Sequence, residues 1–139
     1  MKILLAVDGS PMSTRAARHA AKLVKKMPDA TLTLLNVDPP LMQAVAVKLG
    51  VDASHRYHAE NGQFATRAAR TLLRRLRVPF EERMVVGEPA QRIAHEAKTG
   101  RHDLVVMGSH GRGALQGLLL GSVASKVIAL TEVPVTVVR

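Results

Sequence analysis

Ile3-Leu4-Leu5-Ala6-Val7-Asp8-Gly9-Ser10-Pro11 holds a strand, a turn and a helix start within nine residues. Ile3 to Val7 is an unbroken apolar run, the pattern of a strand covered on both faces in a parallel sheet. Asp8-Gly9 breaks the run. Ser10 suits an N-cap, and Pro11 suits the first helical position, where its missing N–H costs nothing. A helix to about Met27 follows, with Ala16, Ala20, Leu23, Val24 and Met27 on one face and Arg15, Arg18, Lys22 and Lys25 on the other. A buried strand leading straight into an amphipathic helix is the opening of a βαβ unit.

The alternation repeats along the chain. Thr31–Val37 reads as a second strand, closed by Asp38-Pro39-Pro40. Leu41 to Leu49 reads as a short helix, Gly50 as a break, and Asp52 to Glu60 as the lead into the next helix. From Phe64 to Leu76, Ala65, Ala68, Ala69, Leu72, Leu73 and Leu76 form an apolar stripe opposite Arg67, Arg70, Arg74 and Arg77. Phe80–Val86 reads as a more polar third strand and Pro89–Lys98 as a helix with Ala90, Ile93, Ala94 and Ala97 inward. Asp103–Met107 reads as a fourth strand, Gly108–Leu120 as a loop, Ser122–Leu130 as a helix and Val135–Val138 as a fifth strand. Strand and helix alternate throughout, which predicts one α/β domain over residues 1–139, an open parallel sheet with right-handed crossovers and helices on both faces. Ligands of such sheets sit beyond the carboxyl ends of the strands, so the segments to search are Asp8–Ser10, Val37–Pro40, Gly87–Pro89 and the loop after Met107.

Composition narrows the chemistry. The chain has 139 residues, no cysteine and three aromatic residues, Tyr57, Phe64 and Phe80. Thiol nucleophiles, disulfides and thiolate metal sites are excluded, and so is a base-stacking platform for single strands. The 20 lysines and arginines outnumber the 11 acids, a net charge of +9. No stretch reaches the ~20 apolar residues of a membrane span, and the start of the chain is too short in apolar residues for a signal peptide. The expected location is the cytoplasm.

The loop after the fourth strand carries five glycines from Gly108 to Gly121. Glycines let backbone N–H groups approach an anion, and Gly121-Ser122 opens a helix whose first amides and dipole favour a phosphate. Ser122 would cap that helix or donate its hydroxyl to the ligand. The alternative is a glycine-rich connection without a ligand. No glycine here precedes Lys-Ser/Thr, so the loop is not a P-loop, and the dinucleotide spacing is not met either.

A third spacing is met. Gly108, Gly111, Gly121 and Ser122 form G-x2-G-x9-G-[ST], which resembles the nucleotide-binding signature of the universal stress protein family. Val7-Asp8-Gly9-Ser10 resembles the family's opening, Val105 to Gly113 its fourth strand and loop, and Val133-Pro134-Val135 its ending. The resemblance covers essentially the whole chain. It implies a Rossmann-like sheet in the order 3-2-1-4-5, with ATP between strands 1 and 4. Asp8 would accept from adenine or ribose, and the backbone at Val37 would meet the adenine edge. Gly108, Gly111, Gly121 and Ser122 would hold the phosphates, with Mg2+ or another divalent ion neutralising them. A homodimer through Val135–Val138 is also implied, and that apolar strand should form a sheet edge.

Read residue by residue, Asp8 also suits a turn-forming role, and His110 and Arg112 suit solvent-exposed loop positions. His55, His58 and Glu60 have two histidines at helical spacing but no third convincing ligand, the pattern of a surface cluster. No residue stands out as a general base, so the chain is at most a weak ATPase. Two functions follow. The first is an ATP-binding stress-response switch or sensor, with slow or no hydrolysis, in which ATP orders the Gly108–Gly121 loop. The alternative is a basic adaptor for nucleic acid or protein, drawn from the +9 charge and the arginines between Arg67 and Arg77.

Overall fold

A computed structural model describes residues 1–111 and 120–139. Its elements are β1 (Lys2–Ala6), α1 (Pro11–Lys26), β2 (Thr31–Asp38), α2 (Gln43–Leu49), α3 (Val51–Arg75), β3 (Glu81–Val86), α4 (Pro89–Thr99), β4 (Leu104–Gly108), α5 (Ser122–Leu130) and β5 (Val135–Val138). The strands form one sheet in the order β3-β2-β1-β4-β5, and every neighbouring pair is parallel. This is the open, Rossmann-like α/β sheet expected from the alternation. β1 and β4 lie side by side at its centre, with Leu5 opposite Val106. The chain steps outward from β1 on one side and from β4 on the other, so strand order reverses between them.

The period-two alternation of β1 divides the core into two layers. Ile3, Leu5 and Val7 join Ala16, Ala20, Leu34 and Leu73 beneath α1 and α3. Leu4 and Ala6 point the other way, to Ala90, Ile93, Ala97, Met107 and Val127 beneath α4 and α5. Alanine dominates the buried faces of α1 and α4, which lets those helices lie close on the sheet. Among the described residues no helix is long and apolar enough to cross a membrane.

Several boundaries differ from those read in the sequence. The second half of the sheet's first apolar run bends early: β1 ends at Ala6, and Val7 hydrogen-bonds Leu35 O at 2.9 Å from just beyond it. The short helix begins at Gln43 rather than Leu41 and has no buried residue. Its successor is one helix of 25 residues that runs through Gly62. Two tertiary contacts hold its first half: His58 Nδ1 lies 2.5 Å from Asp38 Oδ2, and Asn61 Nδ2 donates to the same oxygen at 3.0 Å. Ala68, placed on the inner stripe, is exposed, while Thr66 is buried and donates to Gly62 O at 2.9 Å. Glu96, not among the inward residues expected of its helix, is buried between Arg83 and Arg92, at 2.7 and 3.2 Å. β3 is polar because it is an edge strand with little to cover it.

Candidate functional site

A cleft of about 460 Å³ opens where strand order reverses, within the size range of small-ligand sites. Its floor is the carboxyl ends of the central strands: Ala6 and Val7, Leu35 and Val37, Met107 and Gly108. Pro39, Pro89 and Ile93 form one apolar wall, and Ser122, Val123 and Ala124 of α5 form the other. Asp8, Ser13, Ser109, His110, Gly111 and Gly121 complete its lining among the described residues. All six residues singled out in the sequence, Asp8, Val37, Gly108, Gly111, Gly121 and Ser122, therefore meet in one place. Arg112, Gly113 and Gly117 lie outside the described residues.

Asp8 takes the turn-forming role its position suggested. Its Oδ1 accepts the Ser10 N–H at 2.9 Å, an Asx turn that leads into α1. Its Oδ2 faces Gly111 so closely that a Cβ built there would lie 2.8 Å away. Ser10 then caps α1, accepting the Ser13 N–H at 3.1 Å. α1 begins so near β4 that a Cβ on Gly108 would lie 2.8 Å from the Met12 carbonyl carbon. Only glycine leaves room for that approach.

Strand parity orients the main chain of Val37. Leu35 O accepts from Val7 on the β1 side, whereas Asp38 O accepts from Gly87 on the β3 side at 3.0 Å. Successive residues of a strand direct their N–H and C=O to alternate sides. Val37 therefore presents both groups to the β1 side, beyond the point where β1 has ended and the cleft begins.

Ser122 corrects its expected role. The N-cap of α5 is Gly121, which supplies no side-chain acceptor, and Ser122 is the first helical residue. Its hydroxyl is thus not used as a cap, and α5 begins at the cleft lining with no capping side chain. Ser109 was not singled out in the sequence. It is buried, donates its N–H to Val138 O at 2.8 Å, and accepts the Gly121 N–H at 2.7 Å. The second bond brings the two ends of the glycine-rich segment together. Ser109 Oγ and His110 Nδ1 lie 2.8 Å apart, so the imidazole is engaged within the protein.

The histidine cluster does not assemble. His58 pairs with Asp38, and no group of three metal-ligating side chains occurs among the described residues. Among the described residues Asp8 is the only carboxylate in the cleft lining.

A sequence model of the Universal stress protein family matches residues 1–139. The chain belongs to this family. It is 31% identical over 138 residues to a universal stress protein of Methanocaldococcus jannaschii, covering 99% of this chain and 81% of the relative. A universal stress protein of Lactobacillus plantarum has a similar structure, with a TM-score of 0.81, 24% identity and coverage of 100% and 97% of the two chains. Another solved universal stress protein, in complex with cAMP, gives a TM-score of 0.68 at 25% identity, covering 100% of this chain and 97% of its own. The shared fold includes the strand-order reversal on which the cleft is built.

Proposed function

We propose that this universal stress protein binds an adenine nucleotide, ATP in the first instance, in the cleft between β1 and β4. The observation that carries the reading is the convergence of the spaced residues Gly108, Gly111, Gly121 and Ser122 with Asp8 and Val37 around one cavity. A relative solved with cAMP supports the same ligand class.

Under this reading the base lies between Pro39, Ile93 and Val123, with its edge against the main chain of Val37. Among the described residues no Phe, Tyr or Trp lines the cleft, so in this reading apolar contact and backbone hydrogen bonds hold the base. Asp8 Oδ2 accepts from the nucleoside. The phosphates meet the first amides of α5 and the Ser122 hydroxyl, where the helix dipole favours negative charge. The donor set suits Mg2+ only as a companion of the phosphates, because Asp8 is the one carboxylate in the lining among the described residues. Such an ion would take phosphate oxygens and water, its usual habit. Under the same reading Asp8 is taken by the nucleoside and His110 Nδ1 lies 2.8 Å from Ser109 Oγ, so neither is offered to water as a general base and turnover is slow or absent.

The protein then acts in the cytoplasm as a nucleotide-dependent switch, because a ligand shifts a population only by binding one state better. It acts as a homodimer through β5. Pro134 O and Val138 O both face β4, so by the same parity Val135 and Val137 turn their main-chain groups outward.

Isothermal titration with Mg-ATP tests the nucleotide reading. Wild type should bind, and Gly121→Val should not, since even a Cβ there would lie 3.1 Å from Ser109 O and 3.3 Å from His110 Cα. Absence of binding by wild type, or undiminished binding by the folded variant, overturns it.

A further inference from the structure

α1 and α3 lie side by side on one face of the sheet and share one core. Both are crossover helices that return against the strand direction, so they run the same way. α1 carries Arg15, Arg18, Lys22 and Lys25; α3 and its end carry Arg67, Arg70, Arg74 and Arg77. Both rows have steps of three, four and three, which place the charges along one line of each helix. Arg70 is half-buried and bonds Glu82 Oε1 at 2.7 Å. The other seven are exposed, and among the described residues none has an ion-pair partner. No acid occurs from Gly9 to Pro28 or from Asn61 to Phe80. Solvated helix faces usually intersperse both signs; here α1 has no acid, and the acids of α3, Asp52 and Glu60, both precede its basic row.

Arg77 adds a second observation. α3 ends in a Schellman motif, with Arg77 N–H bonded to Arg74 O at 2.9 Å and Val78 N–H to Leu73 O at 3.0 Å. The position after the cap needs a left-handed backbone, and Arg77 has φ 54°. Glycine adopts that conformation without strain, yet an arginine stands there, at the end of the basic row.

We propose that the α1/α3 face binds the phosphate backbone of double-stranded DNA, independently of the nucleotide cleft. An acidic protein partner fits less well, because protein interfaces centre on apolar residues and α1 has no exposed large apolar residue. A single strand would need a platform of stacking rings, and among the described residues α1 and α3 expose just two, Tyr57 and Phe64, the second beneath Arg67 at 6.0 Å. Packed helix axes are ~8–10 Å apart. Two cationic rows that close can bracket the narrow minor groove of B-form DNA, whereas the minor groove of an A-form duplex is wide and shallow.

The test is fluorescence anisotropy of the full chain with a B-form DNA duplex of unrelated sequence, at 50 and 200 mM salt. With about five phosphates contacted, affinity should fall roughly 500-fold between those salts. Arg77→Gly should relax the backbone, leave the protein folded and reduce the logarithmic salt slope by about one. Arg101→Gly is the control: Arg101 also sits in a left-handed position after a helix, with φ 52°, but at the end of α4 on the opposite face. It removes the same charge and should leave the slope unchanged. The double variant Lys22→Glu/Arg74→Glu should weaken binding at least tenfold while its circular dichroism matches wild type. The proposal is overturned by no binding at 50 mM salt, by equal losses in Arg77→Gly and Arg101→Gly, or by equal or tighter binding of an RNA duplex, poly-glutamate or anionic vesicles.

Discussion

Asp8 and Gly111 face each other so closely that one added carbon on Gly111 would stand 2.8 Å from the Asp8 carboxylate. The end of β1 and the start of the glycine-rich segment are thereby built to one another's shape. Asp8→Asn keeps an oxygen to accept the Ser10 N–H, so the turn into α1 should survive. It replaces an ionised acceptor, and hydrogen bonds to charged groups contribute ~1.5–3 kcal/mol. Adenine-nucleotide affinity should fall about 10- to 100-fold in titration calorimetry, with an unchanged unfolding midpoint. Unchanged affinity would remove Asp8 from the site.

Gly108→Ala places a methyl group 2.8 Å from the Met12 carbonyl carbon and 3.0 Å from the Ser13 nitrogen. Backbone cannot swing aside as a side chain can. Urea unfolding should show a loss of ~1–3 kcal/mol, the usual cost of overpacking. A neutral result would mean that α1 slides freely over β4.

Arg83 and Arg92 both contact the buried Glu96 carboxylate. Each is partly exposed and can find water alone, so Arg83→Ala should be tolerated while Arg92 remains. Removing both leaves a buried carboxylate without a cation, a change that costs ~3–5 kcal/mol where it is complete. The double variant should lose more stability than the two single variants added together, which a double-mutant cycle would measure. Simple additivity would show that water replaces the arginines.

Val137→Pro tests the dimer. The Val137 N–H points away from β4, so proline removes no bond of that ladder, and proline is tolerated on such an edge. Wild type should scatter light as a dimer and the variant as a folded monomer. A variant that remains dimeric would place the interface elsewhere.

The sheet was legible because its central strands are buried on both faces: Ile3 to Val7 and Leu104 to Met107 are apolar without interruption, and Ser10-Pro11 marks the helix start after the first of them. The six candidate residues were chosen from glycine spacing and a family resemblance, and the fold brings them to one cleft. Ser109 was not, since nothing in a lone serine tells that its carbonyl will accept from Gly121. Glu96 was hidden for a similar reason: its cations come from β3 and from one turn earlier on α4, and only folding brings Arg83 near. The continuous helix through Gly62 was obscured by a glycine and by contacts to Asp38, which is 20 residues from His58 in sequence.

The Gly121-to-Ser109 hydrogen bond has an evolutionary consequence. It ties Ser109, just past β4, to Gly121, just before α5, so the two anchor points are held to each other by main chain alone. Lengthening a closed loop is inexpensive, with each doubling adding only ~0.6 kcal/mol. Changes of length between these anchors should therefore leave the stability of the sheet nearly untouched, so selection on that stretch would answer to the ligand and not to the fold.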